Sequence, residues 1–452
     1  FTGPVIAVLI IALATWLLLK KVYPHAVLLV AGLFMLVIAW AFGFEMPSLE
    51  KSTGATGLDL FRYIKESFSE TNAGVGLMIM AIGGFVAYID KIGASNALVH
   101  LAMRPLSLLK KYPHLTASAV IPIGQVLFVC VPSAAGLSLL LMASVYPILR
   151  GIGVSRLSAV SVITACTAFG IGPASAITAS AVSIAGESSV NYFVQHQIPL
   201  VLPLSLVVAV VYYFVNRYYD KREHPEPEAY EKEGTQTVKA PLIYALIPVL
   251  PLLLLIVFSN LFQLFETPVL LDTTTAMIVS LFVALGFELF RTRNLRATMQ
   301  SLSTFWNGMG NIFKTVVTLI IAADLFAKGL IALDFIDGLV YISQHLGFKA
   351  IGIGVVMTVM IFLASMLMGS GNAAFFAFAP LVPNIAAKLS VKSTSMILPM
   401  NFAASMGRTV SPVAGVLIAT TEIAGVTTLQ IVKRNIIPLG AALVVMLIYH
   451  YI

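Results

Sequence analysis

Long apolar runs constrain the fold of this chain more than any other feature of its sequence. A membrane-spanning helix needs about 20 predominantly apolar residues, and runs of roughly that length recur along all 452 residues. Charged residues make up only 10% of the chain, against the ~25% of an ordinary soluble domain. We therefore expect most of the chain to lie in a lipid bilayer, which excludes a soluble enzyme.

Charge, histidines and cysteines exclude further classes of protein. A net charge of +7 would suit nucleic acid only with a basic solvated face and a binding motif. The chain has neither, so we expect no nucleic-acid partner. Its seven histidines form no HExxH pair and supply no buried base for a serine nucleophile. Cys130 and Cys166 lie in apolar runs, as small buried hydrophobes do. The sequence therefore predicts no enzyme, no organic cofactor and no firm metal site.

Twelve hydrophobic segments meet the length criterion. They cover residues 4–19, 26–44, 73–89, 115–149, 157–184, 198–215, 241–264, 274–290, 315–333, 349–388, 395–423 and 432–451. Segment 115–149 is interrupted by VPSAAG at 131–136, and segment 349–388 by MGSGN at 368–372. Non-helical backbone at membrane depth is tolerated only where protein or water satisfies its polar groups. We therefore predict an all-α fold with ten spans and two re-entrant hairpins, whose tips are candidate binding sites.

Basic residues predict the orientation of these spans, because short cytoplasmic loops carry the excess of Lys and Arg. With both termini outside, in the periplasm, the alternating spans place 19 basic residues in cytoplasmic loops and 6 in outside loops. Lys433 and Arg434 are counted among the cytoplasmic residues. Two basic residues, Lys328 and Arg408, fall within membrane segments instead. A charge within a membrane segment is costly, so each of these two residues should have a pairing partner or a function.

The two halves of the chain match each other in layout and run in opposite senses, as in an inverted-topology repeat. Ser133 pairs with Ser370 and Pro173 with Pro412, at offsets of 237 and 239 residues. We predict a first repeat at 1–219, a charged cytoplasmic linker at 220–240 and a second repeat at 241–452. Each repeat has five spans and one hairpin, and in each the span after the hairpin, 157–184 or 395–423, is broken.

The broken spans contain TACTAFGIGPAS at 164–175 and NFAASMGRTVSP at 401–412. Glycine and proline disfavour continuous helix there. Half-helix N-termini could then point their positive dipole ends at an anion. The alternative is that these small residues only let helices pack closely. Their occurrence at symmetric positions, together with the two hairpin tips, favours a binding site.

Arg408 is the most informative single residue. A guanidinium near mid-membrane costs at least about 2.5 kcal/mol and is not expected to face lipid. Its fork of N–H donors fits a carboxylate bidentately. The alternative is a structural ion pair with Asp324 or Glu422.

Asp324 and Lys328 lie four residues apart on one helix face and can neutralise each other. A mutual structural pair is the favoured interpretation. Ion coupling or a proton relay is the alternative.

Several motifs resemble the DcuC family of anaerobic four-carbon dicarboxylate transporters. They are GSGNAAFFAF at 369–378, GRTVSPVAGV at 407–416 and VKR at 432–434, with STG at 52–54, LLMA at 140–143 and GVSR at 153–156. The resemblance implies a bacterial inner-membrane carrier of the ion transporter superfamily that exchanges or exports succinate, fumarate or malate. It also implies a homodimer with a fixed scaffold and a moving domain that holds both hairpins.

The sequence therefore predicts a secondary carrier for small dicarboxylates with elevator-type alternating access. Its candidate substrate-binding residues are Ser133, Gly136, Thr167, Ser175, Ser370, Gly371, Asn372, Arg408, Thr409 and Ser411. The coupling ion stays open between sodium, near Ser133 and Asn372, and a proton; pure exchange is a third option. A passive anion channel and a carrier of a different organic anion are the alternative functions.

Overall fold

The computed structural model describes residues 2–109, 111–223, 240–259, 269, 271–345 and 350–451, and every regular element in them is a helix. The first part of the chain contains α1 (Thr2–Leu19), α2 (Pro24–Ala41), α3 (Thr56–Thr71), α4 (Leu77–Lys91), α5 (Ala94–Met103), α6 (Pro113–Cys130), α7 (Ala134–Gly151), α8 (Arg156–Ala165), α9 (Ala176–Ala185), α10 (Ser189–Asn191) and α11 (Ile198–Glu223).

The second part contains α12 (Leu250–Val257), α13 (Thr273–Thr292), α14 (Leu295–Ser301), α15 (Ser303–Ile312), α16 (Thr318–Ala332), α17 (Phe335–His345), α18 (Ala350–Met368), α19 (Gly371–Phe378), α20 (Val382–Lys388), α21 (Ser393–Thr409), α22 (Gly415–Ala424) and α23 (Thr428–Tyr451). Short 3₁₀ helices cover Arg104–Leu109, Leu242–Leu246 and Ala379–Leu381. Single π-helical turns at Tyr192–Gln197 and Phe313–Val317 each continue one helix into the next. The similar segment Asn72–Gly76 joins α3 to α4 across a kink at Gly74, whose backbone is not helical.

Nine helical stretches in the described residues are long and apolar enough to cross a membrane. They are Pro24–Ala41, Thr56–Lys91, Pro113–Cys130, Ala134–Gly151, Ser189–Arg222, Thr273–Thr292, Leu295–Ala332, Ala350–Met368 and Thr428–Tyr451. The set differs from the predicted ten spans because it includes three arms of the predicted hairpins. It omits the shorter apolar helices α1, α8, α9 and α22. The chain is an all-helical, multi-pass membrane protein.

The helix breaks fall inside the predicted interruptions. α6 ends at Cys130 and α7 begins at Ala134, while α18 ends at Met368 and α19 begins at Gly371. At each break a serine caps the following helix. The Ser133 hydroxyl accepts a hydrogen bond from the Gly136 N–H at 3.1 Å, and the Ser370 hydroxyl accepts one from the Ala373 N–H at 3.2 Å. The two tips therefore share one local construction.

Both predicted broken spans are interrupted as well. Residues 166–175 separate α8 from α9, and residues 410–414 separate α21 from α22. Gly172 adopts a φ of +93°, a conformation that other residues rarely take. With Pro173 directly after it, the first helix cannot continue through this point.

Close helix packing brings the two parts of the chain together. α2 packs on α16, α4 on α15, and α11 on α23. Within the second part, α18 packs on α21. Between α4 and α15, a Cβ on Gly84 would lie 2.7 Å from the Phe305 ring, and one on Gly308 would lie 2.7 Å from the Ala87 Cβ. Glycine is needed at both positions for this approach.

Some boundaries differ from the sequence-based ones. The segment predicted at 73–89 is the second half of a longer stretch that begins at Thr56, because the amphipathic α3 leads directly into α4 across a kink at Gly74. The predicted linker 220–240 begins inside α11, which ends at Glu223. Residues 224–239 of that linker, and 260–264 of the segment predicted at 241–264, lie outside the described residues.

Candidate functional site

A cavity of about 370 Å³ lies where the helix breaks of both halves meet. Four of the predicted site residues line it: Ser133, Ser175, Asn372 and Arg408. They come from four different segments, at the start of α7, before α9, on α19 and on α21. The remaining wall is formed mainly by apolar residues of α4 and by α15 with the π-helical turn that follows it. The fold thus brings both tips and both broken spans to one place.

The first turns of three helices face this cavity. Ala134 of α7, Ala176 of α9 and Asn372 of α19 all line it. Helix N-termini carry free N–H groups and the positive end of the helix dipole, so they favour an anion.

Arg408 supplies the cavity's full positive charge, in the last turn of α21. Its Nη2 donates a hydrogen bond to the Thr167 carbonyl oxygen at 2.5 Å. Among the described residues this is its one hydrogen bond, and no carboxylate lies within ion-pair distance. The alternative of an ion pair with Asp324 is not seen, because that carboxylate pairs with Lys328. Most of the guanidinium's N–H groups are therefore free for a ligand.

The other six predicted site residues do not line the cavity. They are Gly136, Thr167, Ser370, Gly371, Thr409 and Ser411. Several of them organise its wall. Thr167 offers the carbonyl that Arg408 contacts, and Ser370 caps α19. Thr409 donates its hydroxyl hydrogen bond to the Ser405 carbonyl within its own helix.

A buried polar network, which the sequence analysis did not identify, holds the unwound segment 166–175. Gln197 accepts a hydrogen bond from the Gly172 N–H at 2.9 Å and donates to Asn401 at 2.7 Å and to Thr178 at 2.9 Å. Asn401 in turn donates to the Gly170 carbonyl at 3.1 Å. Buried backbone groups without helical partners need such side-chain partners. The network fixes the backbone next to the cavity.

Three further polar residues in the cavity wall were also not predicted: Asp90, Asn311 and Ser405. Asp90 is the one acidic residue among the described residues that line the cavity, and its carboxylate accepts a hydrogen bond from the Ser95 hydroxyl. Asp90 precedes Lys91 at the end of an apolar run, where the sequence is typical of a loop. Ser405 resembles the many small polar residues that only pack helices.

Asp324 and Lys328 lie away from the cavity and form an ion pair at 3.0 Å. The Ser67 hydroxyl donates to Asp324 at 2.5 Å, and Lys328 donates to that hydroxyl at 3.1 Å. Glu70 approaches Lys328 at 3.9 Å. The cluster connects α3 to α16.

A second arginine, Arg434, is buried although it was counted among the cytoplasmic loop residues. It is 1% exposed and contacts Asp220 at 2.7 Å and the Ser158 hydroxyl at 2.8 Å. Asp220 also accepts hydrogen bonds from the hydroxyls of Ser155 and Ser158, both at 2.7 Å. This network joins α8, α11 and α23 at one end of the helices.

No group of three or more His, Cys, Asp or Glu side chains in the described ranges could hold a metal ion. Cys130 and Cys166 are free thiols. Any cation at this site would therefore depend on hydroxyl, amide and carbonyl oxygens, with at most isolated carboxylates.

Solved membrane proteins share this fold at low sequence identity. The Neisseria gonorrhoeae protein MtrF, described within a class of antimetabolite efflux pumps, superposes with a TM-score of 0.57 at 13% identity and covers 95% of each chain. The Alcanivorax borkumensis YdaH transporter, described as having an unusual topology, gives a TM-score of 0.57 at 15% identity, over 95% of this chain and 98% of its own. The chain therefore shares the fold of these two proteins.

The family follows from sequence. The chain belongs to the DcuC family of C4-dicarboxylate anaerobic carriers, whose sequence profile matches residues 3–452. The Vibrio cholerae "Probable anaerobic C4-dicarboxylate transporter DcuC" is 32% identical over 96% of this chain and 94% of its own length. The Escherichia coli "Anaerobic C4-dicarboxylate transporter DcuC" is 30% identical over 99% of this chain and 96% of its own. The family resemblance predicted from the sequence is confirmed.

Proposed function

We propose that the protein is a secondary carrier of small dicarboxylates, of the size of succinate, fumarate or malate, which bind in the cavity beside Arg408. One observation carries this proposal. The Arg408 guanidinium, which has a single hydrogen bond within the described part of the chain, faces a cavity that three helix N-termini also face. A carboxylate would pair with Arg408, and the second carboxylate would meet N–H groups and hydroxyls at the helix starts.

The proposed architecture is a pair of inverted repeats, at 1–219 and 241–452, each with one re-entrant hairpin. The order of helices supports it, because a helix pair, an interrupted helix and a long helix follow each other in both halves. The equivalent caps formed by Ser133 and Ser370 also support it. Transport would proceed by a rigid-body, elevator-type movement of the domain holding both hairpins against a scaffold. The carrier would be a homodimer in the bacterial inner membrane, with both termini in the periplasm.

An engineered crosslink tests the movement. Since α1 packs against α18, a cysteine pair joining them, in a background without Cys130 and Cys166, should stop transport. Reduction of the crosslink should restore it. Full transport by the crosslinked protein would contradict the movement.

Coupling is proposed to occur by exchange, or with a sodium ion or a proton. A sodium site near Ser133 and Asn372 is the first candidate, since both residues line the cavity. Asp324 and Lys328 are the second candidate. Their side chains are paired with each other and with Ser67, away from the cavity, which favours a structural ion pair over a coupling site.

Counterflow in proteoliposomes tests the carrier function. Preloaded unlabelled succinate should drive a transient accumulation of labelled succinate above its equilibrium level, and Arg408→Ala vesicles should lack it. A passive anion channel would only equilibrate the label.

A substrate panel separates dicarboxylates from other organic anions. Succinate, fumarate and malate should compete for uptake, whereas butyrate should not. Dependence on imposed sodium or proton gradients then identifies the coupling ion. Uptake that butyrate inhibits as well as succinate does would contradict the proposed substrate class.

A further inference from the structure

Ser405 lies on α21, three residues before Arg408, and lines the same cavity. Residues three apart on a helix share one face. The residue is 1% exposed, and its hydroxyl has no hydrogen-bond partner among the described residues. A buried hydroxyl without a partner costs stability. A substrate that supplies the missing partner would explain it.

Gly170 lines the same cavity and lies directly beside Ser405, and its lack of a side chain leaves room next to this hydroxyl. A Cβ on Gly170 would lie 2.5 Å from the Ser405 Oγ and 3.7 Å from the Ser175 Oγ. The Gly170 carbonyl accepts hydrogen bonds from Asn401 and from Thr178, both at 3.1 Å. These two hydrogen bonds hold the Gly170 backbone in place. Two hydroxyls, one from each half of the chain, face the space that a side chain on Gly170 would fill.

We propose that Ser405 is a substrate-binding residue that donates a hydrogen bond to the carboxylate bound by Arg408. This inference rests on the proposed function. A carboxylate accepts several hydrogen bonds, and those to a charged acceptor are stronger than neutral ones. Arg408 and Ser405 would hold one end of the dicarboxylate, and the helix starts near Ser133 and Asn372 would meet the other end.

Binding of succinate to the purified full-length chain, measured by calorimetry, tests the proposal. Ser405→Ala should raise the Kd about tenfold, the effect of losing one hydrogen bond to a charged group. Ser405→Cys, nearly isosteric with a weaker donor, should give an intermediate Kd.

Ser365 on α18 provides the matched control. Its hydroxyl is also buried and has no hydrogen-bond partner in the described ranges, but the residue does not line the cavity. Ser365→Ala should leave the Kd within about twofold of that of the wild type. A wild-type chain that binds none of succinate, fumarate and malate would overturn the proposed function. Wild-type binding with an unchanged Kd in Ser405→Ala would overturn only the role of Ser405.

A double substitution separates hydrogen bonding from packing. Gly170→Ala alone should weaken binding, because its methyl group would sit 2.5 Å from the hydroxyl oxygen. Adding Ser405→Ala removes that clash, since the Ser405 Cβ lies 3.7 Å away. If the hydroxyl binds substrate, the double variant should still bind about tenfold more weakly than the wild type. Wild-type affinity in the double variant would show that Ser405 only packs, and would overturn the proposal.

Discussion

Two arginines of this protein, Arg434 and Arg408, have opposite surroundings. Arg434 is 1% exposed and contacts the carboxylate of Asp220, the Ser158 hydroxyl and the face of the Tyr219 ring. Among the residues that the structure describes, Arg408 has a single hydrogen bond, to a backbone carbonyl, and it faces a cavity. Burying a guanidinium requires partners. Arg434 has them within the protein, whereas Arg408 would obtain them from a ligand.

This difference separates a structural charge from a binding charge. Removing Arg434 leaves the Asp220 carboxylate buried without its countercharge. Removing Arg408 leaves a carbonyl and a cavity that water can enter. Substitution of Arg434 should therefore mainly lower the free energy of unfolding, whereas substitution of Arg408 should mainly weaken substrate binding.

The largest loss of stability is expected for Arg434→Met. Breaking a buried ion pair by removing one partner typically costs ~3–5 kcal/mol. Thermal unfolding of the purified protein in detergent should show it as a large fall in Tm. The double variant Arg434→Met with Asp220→Leu should recover much of the loss, since apolar replacement of both partners is often neutral. Equal Tm values for the wild type and Arg434→Met would contradict the structural role.

A smaller loss of stability is expected for Gln197→Leu. The substitution leaves the Gly172 N–H and the Asn401 amide oxygen without their buried partner, at ~1–3 kcal/mol for each group. Because the same network supports the cavity backbone, succinate binding should weaken as well. Asn191→Ala, on the short helix that precedes the same π-helical turn, is the control and should change neither quantity strongly. Unchanged Tm and Kd in Gln197→Leu would show that the network does not support the cavity backbone.

The Asp324–Lys328 pair should contribute less to the free energy of unfolding. Its side chains are 31% and 19% exposed, and pairs of this kind at i,i+4 spacing contribute below about 1 kcal/mol. The double variant Asp324→Asn with Lys328→Met should change Tm little and keep the ion dependence of transport. Loss of the ion dependence alone would instead assign the pair to coupling.

Local features of the fold were predictable from the sequence. The breaks at 131–133 and 369–370 follow from proline, glycine and capping serines, whose effects extend over a few residues. Arg408 was predictable because a charge stands out in an apolar run. Partners far apart in sequence were not: Arg434 and Asp220 are 214 residues apart, and Gln197 and Asn401 are 204 apart. Ser405 was missed because only the structure distinguishes an unpaired hydroxyl from the bonded ones around it.

Arg408→Ala should have the smallest effect on stability and the largest effect on binding. Equilibrium binding of labelled succinate, measured together with Tm, tests this directly, with Arg408→Lys as the charge-retaining control. We expect Arg408→Ala to have a Tm near that of the wild type and no measurable binding, and Arg408→Lys to bind more weakly than the wild type. Wild-type affinity in Arg408→Ala, or a collapse of its Tm like that expected for Arg434→Met, would contradict the assignment of Arg408 as the binding charge.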